Sequence, residues 1–143
     1  MSAQSVTGPL MLSPAPHEAR RQLEWFLARC RWNGDVEGLV LAVHEALSNA
    51  HRHGRGPVQA RVWEEGSSIV VEVVDRGPGF DPGPHVAVAP QPWAERGRGL
   101  WLMGRFASDL GVRQQDSGVC LRLRFDPEPP THPRRALAAQ VNS

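Results

Sequence analysis

One stretch constrains this chain more than any other. The run Ile69-Val70-Val71-Glu72-Val73-Val74 passes without a break into Asp75-Arg76-Gly77-Pro78-Gly79-Phe80-Asp81. The first half is β-branched and almost wholly apolar, which predicts a strand buried on both faces. A carboxylate then stands at the strand's mouth, followed by two glycines two residues apart. Glycine permits a sharp turn and the close approach of a ligand, and Pro78 between the two stiffens the turn. A carboxylate so placed can accept a hydrogen bond from an amino group held in a pocket. Taken alone, the stretch reads equally well as a strand end and an ordinary turn, since Asp, Gly and Pro are the commonest turn residues. Its flanks decide between the two.

Upstream, Ser13-Pro14-Ala15-Pro16 predicts a helix start with proline in the first turn. Ala19, Leu23, Phe26, Leu27 and Cys30 follow as one apolar stripe. Asn33-Gly34-Asp35 ends that helix and supplies an N-cap for the next, which should run from about Val36 to His53. Leu39, Val40, Val43, Leu47 and Ala50 form its buried face, while Glu45, Asn49 and His53, four apart, line a neighbouring face. Gly54-Arg55-Gly56-Pro57 closes the helix. Val58, Ala60 and Val62 alternate with polar residues as a half-buried strand, and Glu64-Glu65-Gly66-Ser67 turns the chain into the central one. Pro9-Leu10-Met11-Leu12 reads as a short edge strand.

Downstream, residues 81–96 are Pro- and Gly-rich without periodicity, the character of a surface loop or a lid. Arg96-Gly97-Arg98-Gly99-Leu100 then runs into a helix whose stripe is Leu100, Met103, Ala107 and Leu110. A turn over Gln114-Gln115-Asp116-Ser117-Gly118 leads to a strand with Val119, Leu121, Leu123 and Phe125 on one side and Cys120, Arg122 and Arg124 on the other. Strands in hairpins with helices gathered on one face predict an α/β fold: a two-layer sandwich over a mixed, mostly antiparallel sheet. At 143 residues the chain reads as one domain. Residues 1–9 form an N-terminal segment, 10–125 the domain and 126–143 a mobile tail.

Composition narrows the function. The formal net charge is +1 and all 16 basic residues are Arg. No strong field for nucleic acid or an anionic membrane follows, and a P-loop or Schiff-base lysine is excluded. There is no apolar run of membrane-spanning length and no signal-peptide pattern. Two cysteines make neither a disulfide framework nor a metal spacing, so a reduced cytoplasmic location is expected. His44-Glu45 lacks the second His of a zinc-protease helix, because Ser48 stands there. His17 reads as an exposed first-turn residue, and Trp25 and Trp101 as core or interface residues.

Three pieces remain: a helix presenting Glu45 and Asn49 one turn apart, the Asp75-x-Gly77-x-Gly79 turn, and Gly97-x-Gly99 at a helix start. A carboxylate can deprotonate a hydroxyl, an amide oxygen suits Mg²⁺, and a helix N-terminus favours phosphate. In this order they resemble a family. Glu45-Ala46-Leu47-Ser48-Asn49-Ala50-His51-Arg52-His53-Gly54 is similar to the N-box of the GHKL ATPases, Asp75-Arg76-Gly77-Pro78-Gly79-Phe80 to their adenine-binding box, and Gly97-Arg98-Gly99-Leu100 to their second glycine box.

Within that superfamily the short chain and its Asn-Ala-x-x-His-Gly ending most resemble the bacterial anti-sigma-factor serine/threonine kinases. The resemblance implies a Bergerat, histidine-kinase-like fold binding ATP and Mg²⁺ beneath a lid. Glu45 would be the catalytic base and Asn49 the Mg²⁺ ligand. His53, Asp75, Gly77, Gly79, Gly97, Arg98, Gly99 and Leu100 would join Asn49 around the nucleotide, with Asp75 accepting from the adenine amino group. The implied partners are a sigma factor and an anti-sigma-factor antagonist, with a homodimer as the oligomer and neither nucleic acid nor membrane as a direct partner. The other reading is a nucleotide-gated binding protein of the same fold without kinase activity.

Overall fold

The computed structural model describes residues 8–77, 98–115, 118–127 and 141–142. Residues 81–96, read above as a surface loop or a lid, and most of the C-terminal segment 126–143 lie outside the described residues, as do Gly79 and Gly97. In chain order the elements are β1 (Leu10–Leu12), α1 (Pro16–Cys30), α2 (Val36–His53), β2 (Gln59–Glu65), β3 (Ser68–Asp75), α3 (Arg98–Phe106), β4 (Asp109–Gln115), β5 (Gly118–Phe125) and β6 (Val141–Asn142). They build one sheet in the order β1-β2-β3-β5-β4-β6. The first five strands pair antiparallel, and β6 adds a two-residue parallel edge beside Val112 and Arg113.

Local chemistry accounts for the boundaries. The Ser13 hydroxyl accepts from the Ala15 amide ahead of Pro16, and Arg31 closes α1 in the left-handed region at φ 54°. Asp35 caps α2 by accepting from the Gly38 amide at 3.0 Å. Gly66, at φ +64°, turns β2 into β3 so that Glu65 pairs with Ser68.

The three helices among the described residues cover one face of the sheet. Phe26, Leu39, Val43, Leu47 and Met103 meet Val62, Val71, Leu110 and Leu123 in a single core. Trp25 does not join them: it is 53% exposed, with the Arg29 guanidinium 5.1 Å from its ring. His17 is exposed, as its first-turn position predicts.

The third helix is shorter than its apolar stripe predicts. Ala107 and Leu110 are buried, yet they lie beyond its end at Phe106. The Ser108 amide turns to the Arg124 carbonyl at 2.7 Å, and the Ser108 hydroxyl accepts from the Asp126 amide. From there the backbone pairs as β4, with Leu110 opposite Leu123 and Val112 opposite Leu121. Leu110 fits a helical stripe and a strand alternation equally well, and sheet pairing decides it.

The helix-free face is covered by side chains. Val70, Cys120 and Glu72 are almost fully buried there. Arg61 donates through Nε and Nη2 to Glu72 Oε1, at 2.9 and 2.6 Å. The guanidiniums of Arg61 and Arg122 both stand 5.7 Å from the Trp63 ring. Arginine stems and one indole thus exclude water from the centre of the sheet on that side.

Candidate functional site

The side chain of Asp75 lies on the helix side of β3, in register with the core residues Ile69, Val71 and Val73. It is 9% exposed. One carboxylate oxygen, Oδ1, accepts from the Gly77 amide and fixes the turn beyond the strand. The other faces the end of α2. A Cβ on Gly54 would lie 2.7 Å from Asp75 Oδ2 and 2.5 Å from the Ala50 carbonyl oxygen, closer than atoms can sit. Gly54 therefore serves as more than a helix stop: its bare Cα lets the helix end close against the carboxylate. The Arg76 amide donates to the Arg55 carbonyl at 2.7 Å and ties the two turns together.

A second close approach builds the other end of the site. A Cβ on Gly99 would lie 2.9 Å from Glu45 Oε1 and 3.5 Å from Asn49 Oδ1. The first turn of α3 therefore backs directly onto the two polar residues of α2. Leu100 follows at 6% exposure and anchors that turn in the core. Free N–H groups at a helix start attract anions, and here a carboxylate and an amide stand beside them. The span from Glu45 to Gly54 is nine residues, about 14 Å of helix at 1.5 Å per residue.

The structure thus brings Glu45, Asn49 and Gly99 together midway along α2, and Asp75, Gly77 and Gly54 at its C-terminal end. His53, half-buried in the last turn of α2, lies between Asn49 and Gly54 in the chain. Arg98 is the first residue of α3. The chemistry of the donors suits Mg²⁺: one amide oxygen, beside a place for phosphate oxygens, is the small protein share that ion takes. Among the described residues no group of three or more His, Cys, Asp or Glu could hold a metal ion by itself.

Both cysteines are held as protonated, weakly nucleophilic thiols. Burial, aided by Glu64, pushes the Cys30 thiol up to about 12, and burial also raises Cys120.

One positioning residue escapes the sequence reading. Gly118, taken there as part of a turn, opens β5 at φ +156°, and a Cβ on it would lie 2.0 Å from the Asp75 carbonyl oxygen. No side chain fits while Asp75 keeps its place. The signal that could find it is the register: Val119 pairs with Asp75, so the residue before it faces the turn. Gly118→Ala is expected to cost about 1–3 kcal/mol, the range for backbone strain of this kind. Thermal unfolding checks the cost, and nucleotide titration of the folded variant should show weakened binding.

The model of the histidine kinase-like ATPase domain family matches residues 15–125. No curated protein matches the chain. Among solved structures, the histidine kinase domain from Erythrobacter litoralis EL346 blue-light activated histidine kinase is similar at 20% identity and a TM-score of 0.44. The likeness covers 73% of this chain and 47% of that one, so the chain spans about half the length of the solved structure it matches. Among the described residues no helix is long and apolar enough to cross a membrane.

Proposed function

Because the chain belongs to the histidine kinase-like ATPase domain family, an ATP-binding family, we propose that it is a protein serine/threonine kinase. On this reading it phosphorylates an anti-sigma-factor antagonist and reversibly sequesters a sigma factor. The observation that carries the kinase reading is the contact of Gly99 with Glu45 and Asn49. A carboxylate beside a helix start that attracts phosphate is where a base on an incoming hydroxyl must stand.

Each residue then has a task. Asp75 accepts from the adenine amino group, held in place by the Gly77 amide and the closeness of Gly54. The α3 N-terminus holds phosphate oxygens through backbone N–H groups. Glu45 takes the proton of the attacking serine or threonine hydroxyl as its oxygen bonds to the terminal phosphorus and the bond to the bridging oxygen breaks. Asn49 would hold Mg²⁺, which would neutralise phosphate charge.

Asn49→Ala separates that role from packing. It is expected to weaken ATP binding strongly with Mg²⁺ present and little with a chelator in its place. Equal losses in the two titrations would reduce Asn49 to a packing residue.

The decisive experiment incubates the protein with labelled ATP and candidate antagonists, and follows complex formation with co-purified sigma factors. Label on an antagonist serine or threonine supports the kinase. ATP binding with no transfer would replace it with the nucleotide-gated binder.

A further inference from the structure

The last turn of α2 and the two turns that frame Asp75 carry three exposed arginines, Arg52, Arg55 and Arg76. Arg52 stands seven residues after Glu45 on α2, two turns along the same face. Arg55 and Arg76 are joined by their backbones, amide to carbonyl at 2.7 Å. The stem of Arg76 lies over Gly56, where a Cβ would come within 3.0 Å of its Cδ. The two guanidinium stems therefore grow from a braced pair of turns.

Arg20, Arg61, Arg113, Arg122 and Arg124 each have a carboxylate within 4 Å. Among the described residues, Arg52, Arg55 and Arg76 have none; Arg21, Arg29, Arg31 and Arg105 share that property, but only the first three stand together around the Asp75 turn. The carboxylate next to them in sequence, Asp75, is buried beneath the turn and engaged by the Gly77 amide.

We propose that Arg52, Arg55 and Arg76 form a docking rim for an acidic segment of a protein, delivered to the mouth of the nucleotide site. The proposal rests on the reading of the site as one that serves a protein partner. Charge complementarity selects the occupant: three guanidiniums present planar forks suited to carboxylates. Nucleic acid fits less well. A chain of net charge +1 with three clustered arginines lacks the six to ten phosphate contacts of a strong nucleic-acid interface. The phosphates of a bound nucleotide are a poor match too, because on this reading they lie beside Gly99, midway along α2, whereas Arg55 and Arg76 stand on the turns beyond its C-terminal end.

The test uses a fluorescent dodecapeptide rich in Glu and Asp with one central serine, and a neutral peptide of equal length. Anisotropy is read on the wild type, on Arg52→Glu/Arg55→Glu/Arg76→Glu, and on Arg113→Glu as a control on the opposite face. ATP titration of every protein runs in parallel without peptide. Wild type should bind the acidic peptide at least tenfold more tightly than the neutral one, with affinity falling as salt rises. The triple variant should lose about tenfold or more of that affinity, while Arg113→Glu keeps it. The ATP arm separates the two claims: wild type that binds peptide but not ATP defeats the nucleotide reading and leaves the rim standing. The rim is overturned if the triple variant binds peptide as wild type does, if Arg113→Glu loses as much, or if a single-stranded oligonucleotide of equal charge binds wild type more tightly. A triple variant with altered circular dichroism is replaced by Arg55→Gln/Arg76→Gln, which removes charge without reversing it and should lose at least threefold; unchanged binding in that variant also overturns the rim.

Discussion

Glu45→Ala is expected to lower phosphoryl transfer by about 10²–10⁴-fold, the usual worth of a positioned general base. The loss should fall on turnover. A base acts on the hydroxyl as the bond to phosphorus forms, and contributes little to holding ATP or a partner in the ground state. ATP affinity should move far less, because Asp75 and the α3 N-terminus lie outside the substitution. Sigma-factor capture should persist, since it needs a surface and no chemical step. Matched measurements on wild type and variant check this: labelled phosphate on the antagonist, ATP titration, and complex formation. A variant that transfers phosphate at the wild-type rate would remove Glu45 from the chemistry.

Asp75→Asn should do the reverse. Its amide oxygen can still accept from the Gly77 amide, so the turn survives. The other oxygen, packed against Gly54, becomes an NH₂ group, which on the proposed reading would meet the adenine amino group donor to donor. Losing a charge-assisted hydrogen bond and stranding a buried donor costs about 2–4 kcal/mol, roughly thirty- to a thousandfold in Kd. Calorimetric titration with ATP, on protein whose unfolding temperature shows it folded, measures it. Unchanged affinity would mean that Asp75 is a structural residue only.

Much of this architecture is written locally. The α2 boundaries, Val36 to His53, follow from an aspartate cap at one end and a glycine at the other. The alternation of Val119, Leu121, Leu123 and Phe125 places them in the core. What local pattern fails to carry is competition between distant partners. Leu110 belongs to β4 because Leu123 lies across from it, a fact separated from it by thirteen residues. Trp25 looks apolar enough for the core but sits on the outward side of α1, with Arg29 over it. In the site, Asp75 and Asn49 stand out by residue type and spacing. Gly54 and Gly118 matter through atoms they lack, and only the neighbouring elements show what those atoms would strike.

A sandwich with helices on one side alone should leave its central strand accessible from the other. Here arginine stems and an indole roof that side, so β3 is enclosed above and below. The strand that ends in Asp75 is also paired along its length with β2 on one side and β5 on the other, so its amides exchange only when those ladders open. The Asp75 carboxylate is thereby mounted on a strand buried on both faces. Motions of the surrounding turns can then proceed against a fixed reference point.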